Sequence, residues 1–180
     1  MSRIPPAQAP YAPAVQAAFD SIMPAGVAPL ALFRTLAVAP RVFERFRAGA
    51  LLDRGPLSLR QREIAIARTC ALNGCEYEWG VHVTFFAEKA RLSPEQLRAT
   101  VDGSPAGWSH EEQAILALCE ELHRGTQLSD DLWATLQQHF STEQILELMA
   151  LAGFYRTVAL FANGLRLPLE PYAARFPATA

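Results

Sequence analysis

The chain has 180 residues, of which 51% are hydrophobic and 19% are charged. This balance supports a buried core and excludes a disordered chain. Sixteen basic and eighteen acidic residues give a net charge of −2, and no run of like charge is present, so we expect no nucleic-acid partner. Lys89 is the only lysine, and therefore the only candidate for a Schiff base.

The N-terminus, the most apolar stretch and the cysteines are informative about the cellular location. Residues 1–10 contain two adjacent prolines and no apolar run, which is not typical of a secretory signal. The most apolar stretch, 145–165, is interrupted by Glu147 and Arg156, and we do not expect it to span a membrane. Three cysteines without an export signal favour free thiols over disulfides. We predict a soluble, cytoplasmic protein.

Repeated helix-start signals predict an all-α fold of seven or eight helices. Four segments fit the capping box, in which a Ser is followed three residues later by Glu or Gln; they begin at Ser58, Ser93, Ser109 and Ser141. Ser129, which precedes two aspartates, is a further predicted N-cap. No segment alternates between apolar and polar residues as a strand would, so we predict no strands.

Proline clusters near both ends predict three regions. Residues 1–28 are expected to form an N-terminal arm with a short helix, residues 29–172 a helical domain, and residues 173–180 a C-terminal tail.

The segment 58–90 contains the residues that are candidates for catalysis. The dipeptide Asn73-Gly74 breaks it into two antiparallel helices, predicted at about residues 59–72 and 75–91.

Four side chains of this hairpin, Glu63, Cys75, Glu78 and His82, are expected to meet. Cys75, Glu78 and His82 are spaced i, i+3 and i+7, and therefore share one helix face. Glu63 and Cys70 form a stripe on the first helix. Glu63 and His82 lie at similar distances from the break, so they should be level across the hairpin.

Such a cluster has the parts of a general acid/base site with a thiol at its edge. Cys75 lies at a helix start, where free N–H groups favour a thiolate. His82 can relay a proton near neutral pH. Glu63 and Glu78 in an apolar setting disfavour ionising together, which leaves one of them able to hold a proton.

Each of these residues also has a structural interpretation. Glu63 can pair with Arg62 or Arg68, and His82 can form an i,i+4 surface pair with Glu78.

The remaining candidates have structural interpretations as well. Cys75 can be a small core residue. Tyr77 and Trp79, which we treat with Cys70 as secondary candidates, are more typical of packing than of ligand contact. The combination is more specific than any of its members.

One metal-binding pattern is incomplete. Glu120 and His123 match the Glu-x-x-His half of a di-iron site, but the second copy that such a site needs is missing from the sequence. The cysteines lack zinc-site spacing, and no glycine-rich phosphate loop occurs. We predict no metal and no other cofactor.

Glu63, Cys75 and the Glu-Tyr-Glu-Trp run that leads to His82 resemble the carboxymuconolactone decarboxylase and alkylhydroperoxidase (AhpD-like) family. The resemblance continues through residues 92–96, 141–147 and 153–163, and it covers most of the chain. It implies an AhpD-like helical bundle with its active site on an antiparallel helical hairpin. It also implies a homo-oligomer, whether a dimer, a trimer or a hexamer.

One position departs from the peroxidase branch of this family, whose site contains a Glu, a Cys-x-x-Cys pair and a His. Glu63, Cys75 and His82 take the places of the glutamate, the first cysteine and the histidine, whereas Glu78 replaces the second cysteine. A Cys-x-x-Cys disulfide cycle is therefore impossible. Peroxide chemistry would need Cys75 as the attacking sulfur, with Cys70 or an external thiol reductant to resolve the sulfenic acid.

Two enzymatic functions follow. The first is a thiol-dependent alkylhydroperoxidase of the peroxiredoxin type, acting on a hydroperoxide through Cys75. The second is a decarboxylase or proton-transfer enzyme that acts on a small carboxylated lactone or oxo acid, with Glu78 and His82 moving protons and Glu63 orienting His82.

Two further points stay open. A substrate carboxylate would be expected to meet an arginine, for which Arg62, Arg68 and Arg156 are the candidates. A non-catalytic helical assembly or small-ligand binder is the alternative to an enzyme.

Overall fold

The computed structural model describes residues 2–51 and 53–178, and these residues form nine helices and no strand. The helices are α1 (Pro13–Ile22), α2 (Ala31–Leu36), α3 (Pro40–Ala48), α4 (Leu59–Leu72), α5 (Glu76–Phe86), α6 (Pro94–Asp102), α7 (His110–Gly125), α8 (Asp130–His139) and α9 (Thr142–Gly164). The predicted all-α fold is confirmed. The predicted number of helices, seven or eight, is too low.

The N-terminal helices account for the difference because they lack side-chain caps. The N-caps of α1, α2 and α3 are Ala12, Leu30 and Ala39, and none of them makes a capping hydrogen bond. Proline occupies the first turn of α1 and α3, where its fixed φ favours a helix start. Starts of this kind leave a weaker signal in the sequence than a capping box.

The four predicted capping boxes all form, at the starts of α4, α6, α7 and α9. Ser129 caps α8 by accepting a hydrogen bond from the backbone of Leu132. The hairpin prediction is right for α4, whereas α5 ends at Phe86 and is followed by turns rather than continuing to residue 91.

Helix α4 lies at the centre of the bundle and packs against α5, α6, α7 and α9. Eight consecutive residues, from Glu63 to Cys70, are buried, so this helix has no solvent face along that stretch. The burial of Glu63 here has an energetic consequence, because a carboxylate in such a position needs a polar or charged partner.

Helix α9 packs beside α4 and α7. By length and composition alone it could cross a membrane, contrary to the expectation that Glu147 and Arg156 exclude this. In its most apolar window 44% of the residues are buried in the bundle. The rest of its apolar character lies in exposed side chains such as Leu146 and Leu160. Cytoplasmic location stays a prediction.

Both terminal segments pack on the helical body. Phe19 of α1 is 1% exposed and belongs to the main core. At the other end, Glu170 accepts a hydrogen bond from the backbone of Ala31 at the start of α2. Residues 1 and 179–180, at the ends of the predicted arm and tail, lie outside the described residues, as does residue 52.

Candidate active site

A tight turn joins α4 to α5 and sets the register of the hairpin. The backbone N–H of Cys75 donates to the carbonyl of Cys70 over 2.8 Å. Gly74 has a φ of +59°, which a residue without a side chain adopts at little cost. The turn brings the buried face of α4 level with that of α5.

The four polar side chains in this buried space form one connected cluster. Glu63 Oε2 lies 2.8 Å from His82 Nδ1. On the other side of the ring, His82 Nε2 lies 3.1 Å from the Tyr155 hydroxyl and 3.4 Å from Glu78 Oε1. Glu63, Glu78 and His82 are 2%, 6% and 4% exposed. The predicted meeting of these three side chains is therefore present, and α9 adds Tyr155.

The carboxylates control the protonation of His82. Burial alone would lower the pKa of this imidazole, but the charge and hydrogen bond of Glu63, together with those of Glu78, raise it to about 10. His82 is then an imidazolium at neutral pH, and both ring nitrogens are donors. Burial raises the pKa of Tyr155 well above its ordinary value, so this phenol keeps its proton.

Two carboxylate oxygens of the cluster, Glu63 Oε1 and Glu78 Oε2, are buried without a hydrogen-bond partner among the described residues. Leaving a buried acceptor unpaired costs about 1–3 kcal/mol. Glu78 is also one of the residues that line a cavity.

This cavity measures about 150 Å³ and lies against Glu78 and His82. Its other walls are mainly apolar and come from α5 and from the N-terminal part of the chain; they include Ile22, Met23, Pro24, Phe33, Phe85 and Phe86. Besides the His82 imidazolium, Lys89 is the one cationic side chain that the described residues contribute to the wall.

The two hairpin cysteines are buried outside the cavity. Cys70 and Cys75 are both fully buried, and neither lines the cavity. The neighbouring Cys70 thiol lowers the pKa of Cys75. The backbone N–H of Glu78, at the start of α5, lowers the pKa of Cys75 further. Burial raises the pKa of Cys70 well above its ordinary value.

The two secondary aromatic candidates face other parts of the fold. The Tyr77 hydroxyl donates to Glu170 over 2.6 Å and accepts a hydrogen bond from the backbone of Leu32. The Trp79 indole donates to Thr100 Oγ1 over 3.0 Å. Neither residue lines the cavity.

The three arginines considered as carboxylate ligands also lie elsewhere. Arg62 donates to the backbone carbonyl of Asp53, and Arg68 forms an ion pair with Glu120. Arg156 lines a separate cavity.

Sequence reasoning missed three components of the site. Tyr155 lies 73 residues from His82, and its position in an apolar helix carries no sign of a polar role. Lys89 was noted only as the single lysine and Schiff-base candidate, not as part of this site. The N-terminal residues 22–24 form part of the cavity wall although the sequence indicated only an arm there.

The fold and the cluster define a class: an all-α protein of the AhpD-like type with a buried Glu-His-Glu centre on its helical hairpin. The sequence profile of the carboxymuconolactone decarboxylase family matches residues 38–120. The matched segment includes the whole hairpin, and the resemblance noted in the sequence is confirmed. Among curated protein sequences, none matches this chain.

Solved structures with the same fold include two bacterial peroxidase-related proteins. The one from Ralstonia eutropha JMP134, with an alkylhydroperoxidase AhpD core, has a TM-score of 0.82 and 20% identity over 94% of this chain and 93% of that one. The one from Silicibacter sp. TM1040 has a TM-score of 0.78 and 16% identity over 96% of both chains.

A third structure is the debrominase Bmp8, a cysteine-to-alanine variant of which was solved with 2,3,4-tribromopyrrole. It has a TM-score of 0.73 and 15% identity, over 96% of this chain and 94% of that one. At these identities all three comparisons concern the fold alone.

Proposed function

We propose that this protein is an enzyme that moves a proton to or from a carbon atom beside a carbonyl group in a small, largely apolar substrate. The observation that carries the proposal is Glu78 Oε2, a buried carboxylate oxygen without a partner on a side chain that lines a cavity. An anionic base in an apolar cavity is poorly solvated, which strengthens it toward a weak carbon acid.

The neighbouring side chains have complementary roles. Glu78 accepts the substrate proton, while the His82 imidazolium, whose Nε2 lies 3.4 Å from Glu78 Oε1, supplies the positive charge that stabilises the developing oxyanion. Glu63 holds the imidazole ring from the other side over 2.8 Å and keeps it protonated. If the reaction is a decarboxylation, loss of CO₂ leaves an electron pair on the substrate carbon, and the same centre supplies the proton that replaces it.

The cavity volume limits the substrate. A cavity of about 150 Å³ is the size that holds benzene in an engineered protein core, about six ring atoms. Small unsaturated lactones and short oxo acids are in this range. The debrominase relative, whose structure holds a brominated pyrrole, also binds a small ring compound.

Proton exchange tests the proposal directly. Small oxo acids and unsaturated lactones are incubated with the protein in D₂O, and deuterium incorporation and CO₂ release are followed by NMR. We expect Glu78→Gln to lower the rate about 10²- to 10⁴-fold, the usual contribution of a general base. Cys75→Ser is the matched control within the hairpin and should keep most of the activity. Full activity in Glu78→Gln, or a loss in Cys75→Ser alone, would refute the acid/base function.

A thiol-dependent hydroperoxidase is the second candidate, and the contact between Cys70 and Cys75 favours it. The Cys75 thiolate would attack the hydroperoxide, the O–O bond would break, and an alcohol would leave as Cys75 becomes a sulfenic acid. Attack by the Cys70 thiol would form a disulfide and release water, and an external thiol would then reduce the pair. The burial of both sulfurs outside the cavity places this function second.

Mass spectrometry after brief hydroperoxide treatment, with a sulfenic-acid trap, tests the second candidate. The thiol function predicts a Cys70–Cys75 disulfide in the wild type and a trapped sulfenic acid on Cys75 in Cys70→Ser. Cys119 is the internal control, because burial raises the pKa of this thiol to about 11. Slow modification spread equally over all three cysteines would contradict the thiol function.

A further inference from the structure

We propose that Lys89 binds a carboxylate of the ligand at the mouth of the cavity, so that the site takes small monocarboxylates whose apolar body is about the size of one six-membered ring. The inference rests on the proposed acid/base function and narrows its substrate class. It also replaces the arginines that the sequence indicated with a different cation.

The first support is the position of Lys89. The residue lines the cavity and is itself exposed, so its side chain lies where the cavity meets solvent. Its ammonium lies 5.7 Å from the centroid of the Phe86 ring, a second wall residue. The Phe86 ring in turn lies 5.3 Å from the His82 ring. The Phe86 ring therefore lies next to both the cation and the acid/base centre.

The second support is that Lys89 has no carboxylate partner among the described residues. The ion pairs there are Arg60 with Glu112, Arg68 with Glu120, and His82 with Glu63 and Glu78. An ammonium over an aromatic ring is favoured by the ring quadrupole but keeps its capacity to bind an anion. The remaining positive charge in the cavity is thus available to a ligand.

The third support is the distribution of charge around the cavity. Glu78 contributes a negative charge at the buried end, and Lys89 contributes a positive charge at the exposed end. A ligand carboxylate is repelled by Glu78 and attracted by Lys89. The apolar body of the ligand then enters among the aromatic walls, with its carbon atoms toward Glu78 Oε2, the orientation that proton transfer needs.

Calorimetric titration of the intact protein with two matched probes, benzoate and its neutral analogue benzamide, tests the inference without a turnover assay. We expect the wild type to bind benzoate about two- to fivefold more tightly than benzamide, the range of an exposed ion pair. Lys89→Met should abolish this preference while leaving benzamide affinity unchanged, and Lys89→Arg should retain it. Arg41→Gln makes the same charge change at an exposed position outside the cavity and should have no effect.

A fourth variant locates the ligand. Glu78→Gln removes the buried negative charge, so benzoate should bind more tightly to it while benzamide changes little. Absence of benzoate binding, a preference that survives in Lys89→Met, or an unchanged benzoate affinity in Glu78→Gln would each overturn the inference.

The two proposals fail in distinguishable ways. Glu78-dependent exchange on neutral lactones without any benzoate preference would leave the acid/base function standing and remove the role of Lys89. The predicted binding pattern without proton exchange on any substrate would do the reverse.

Discussion

Glu63 Oε2 and His82 Nδ1 lie 2.8 Å apart in the interior and join the two helices of the hairpin through a buried charged hydrogen bond. The pair links the stability of the fold to the protonation of His82. Burial disfavours the charged imidazolium, and the carboxylate of Glu63 offsets this desolvation cost. It also orients the ring so that Nε2 points to Glu78 and Tyr155.

The first prediction concerns pH. The folded-state pKa of His82 is about 10 against an ordinary value of 6.5, so the native state binds more protons than the unfolded state between these values. The resulting stabilisation is complete below pH 6.5 and is lost as the pH rises through about 10. Urea unfolding should show this decline in the wild type and a smaller one in Glu63→Gln.

The exposed His139 provides the control for this experiment. The variant His139→Gln should keep the wild-type slope of stability against pH. Equal slopes in the wild type and Glu63→Gln would show that Glu63 does not hold the proton on His82.

The second prediction concerns Tyr155, which we place as a positioning residue for His82. Tyr155→Phe keeps the ring but removes the hydroxyl that lies 3.1 Å from His82 Nε2. Loss of one such hydrogen bond, about 1–1.5 kcal/mol, corresponds to a roughly tenfold lower kcat. The pH profile of kcat should also shift, which a purely structural change would not produce. Tyr172→Phe, at an exposed tyrosine, is the matched control.

The third prediction concerns the cysteine pair. Cys70→Ala removes the thiol that lowers the pKa of Cys75, so alkylation of Cys75 by a small reagent should slow at neutral pH and need a higher pH. Cys70→Ser keeps a donor and should change this profile less. Cys119→Ala is the control: the sulfur of Cys119 lies 3.6 Å from the Ala65 carbonyl, and its removal should have no effect on Cys75. A profile that responds equally to all three variants would mean that the contact is not specific.

The fourth prediction concerns the C-terminal segment over α5. A Cβ on Gly80 would collide with the backbone carbonyl of Ala174, which cannot move away as a flexible side chain could. Gly80→Ala should therefore destabilise the fold by about 1–3 kcal/mol in urea unfolding. Gly153→Ala, in a helix and with nothing within 4 Å of its Cβ position, should be neutral or stabilising by up to about 1 kcal/mol. Equal effects of the two substitutions would contradict this account.

Local hydrogen bonding explains why much of the fold was predictable. The capping boxes at Ser58, Ser93, Ser109 and Ser141 each close within four residues, so their sequence signal is complete in itself. The N-terminal helices have no such signal, and their presence depends on packing against the core, as the burial of Phe19 shows.

The candidate site also has a part that was predictable from the sequence and a part that was not. Glu63, Glu78 and His82 could be placed together because helix geometry converts their distances from the Asn73-Gly74 break into positions in space. Contact between Cys70 and Cys75 was only one of several alternatives, since it depends on how tightly the turn closes.

The sequence by itself therefore determined the helical class, the hairpin and the Glu-His-Glu triplet, because each depends on spacing within one or two neighbouring helices. Only the tertiary structure decided that Tyr155 completes the cluster, that residues 22–24 wall the cavity, and that the free cation beside it is Lys89. These features arise where segments distant along the chain pack against the hairpin, and side-chain convergence of that kind leaves no periodic pattern in a single sequence.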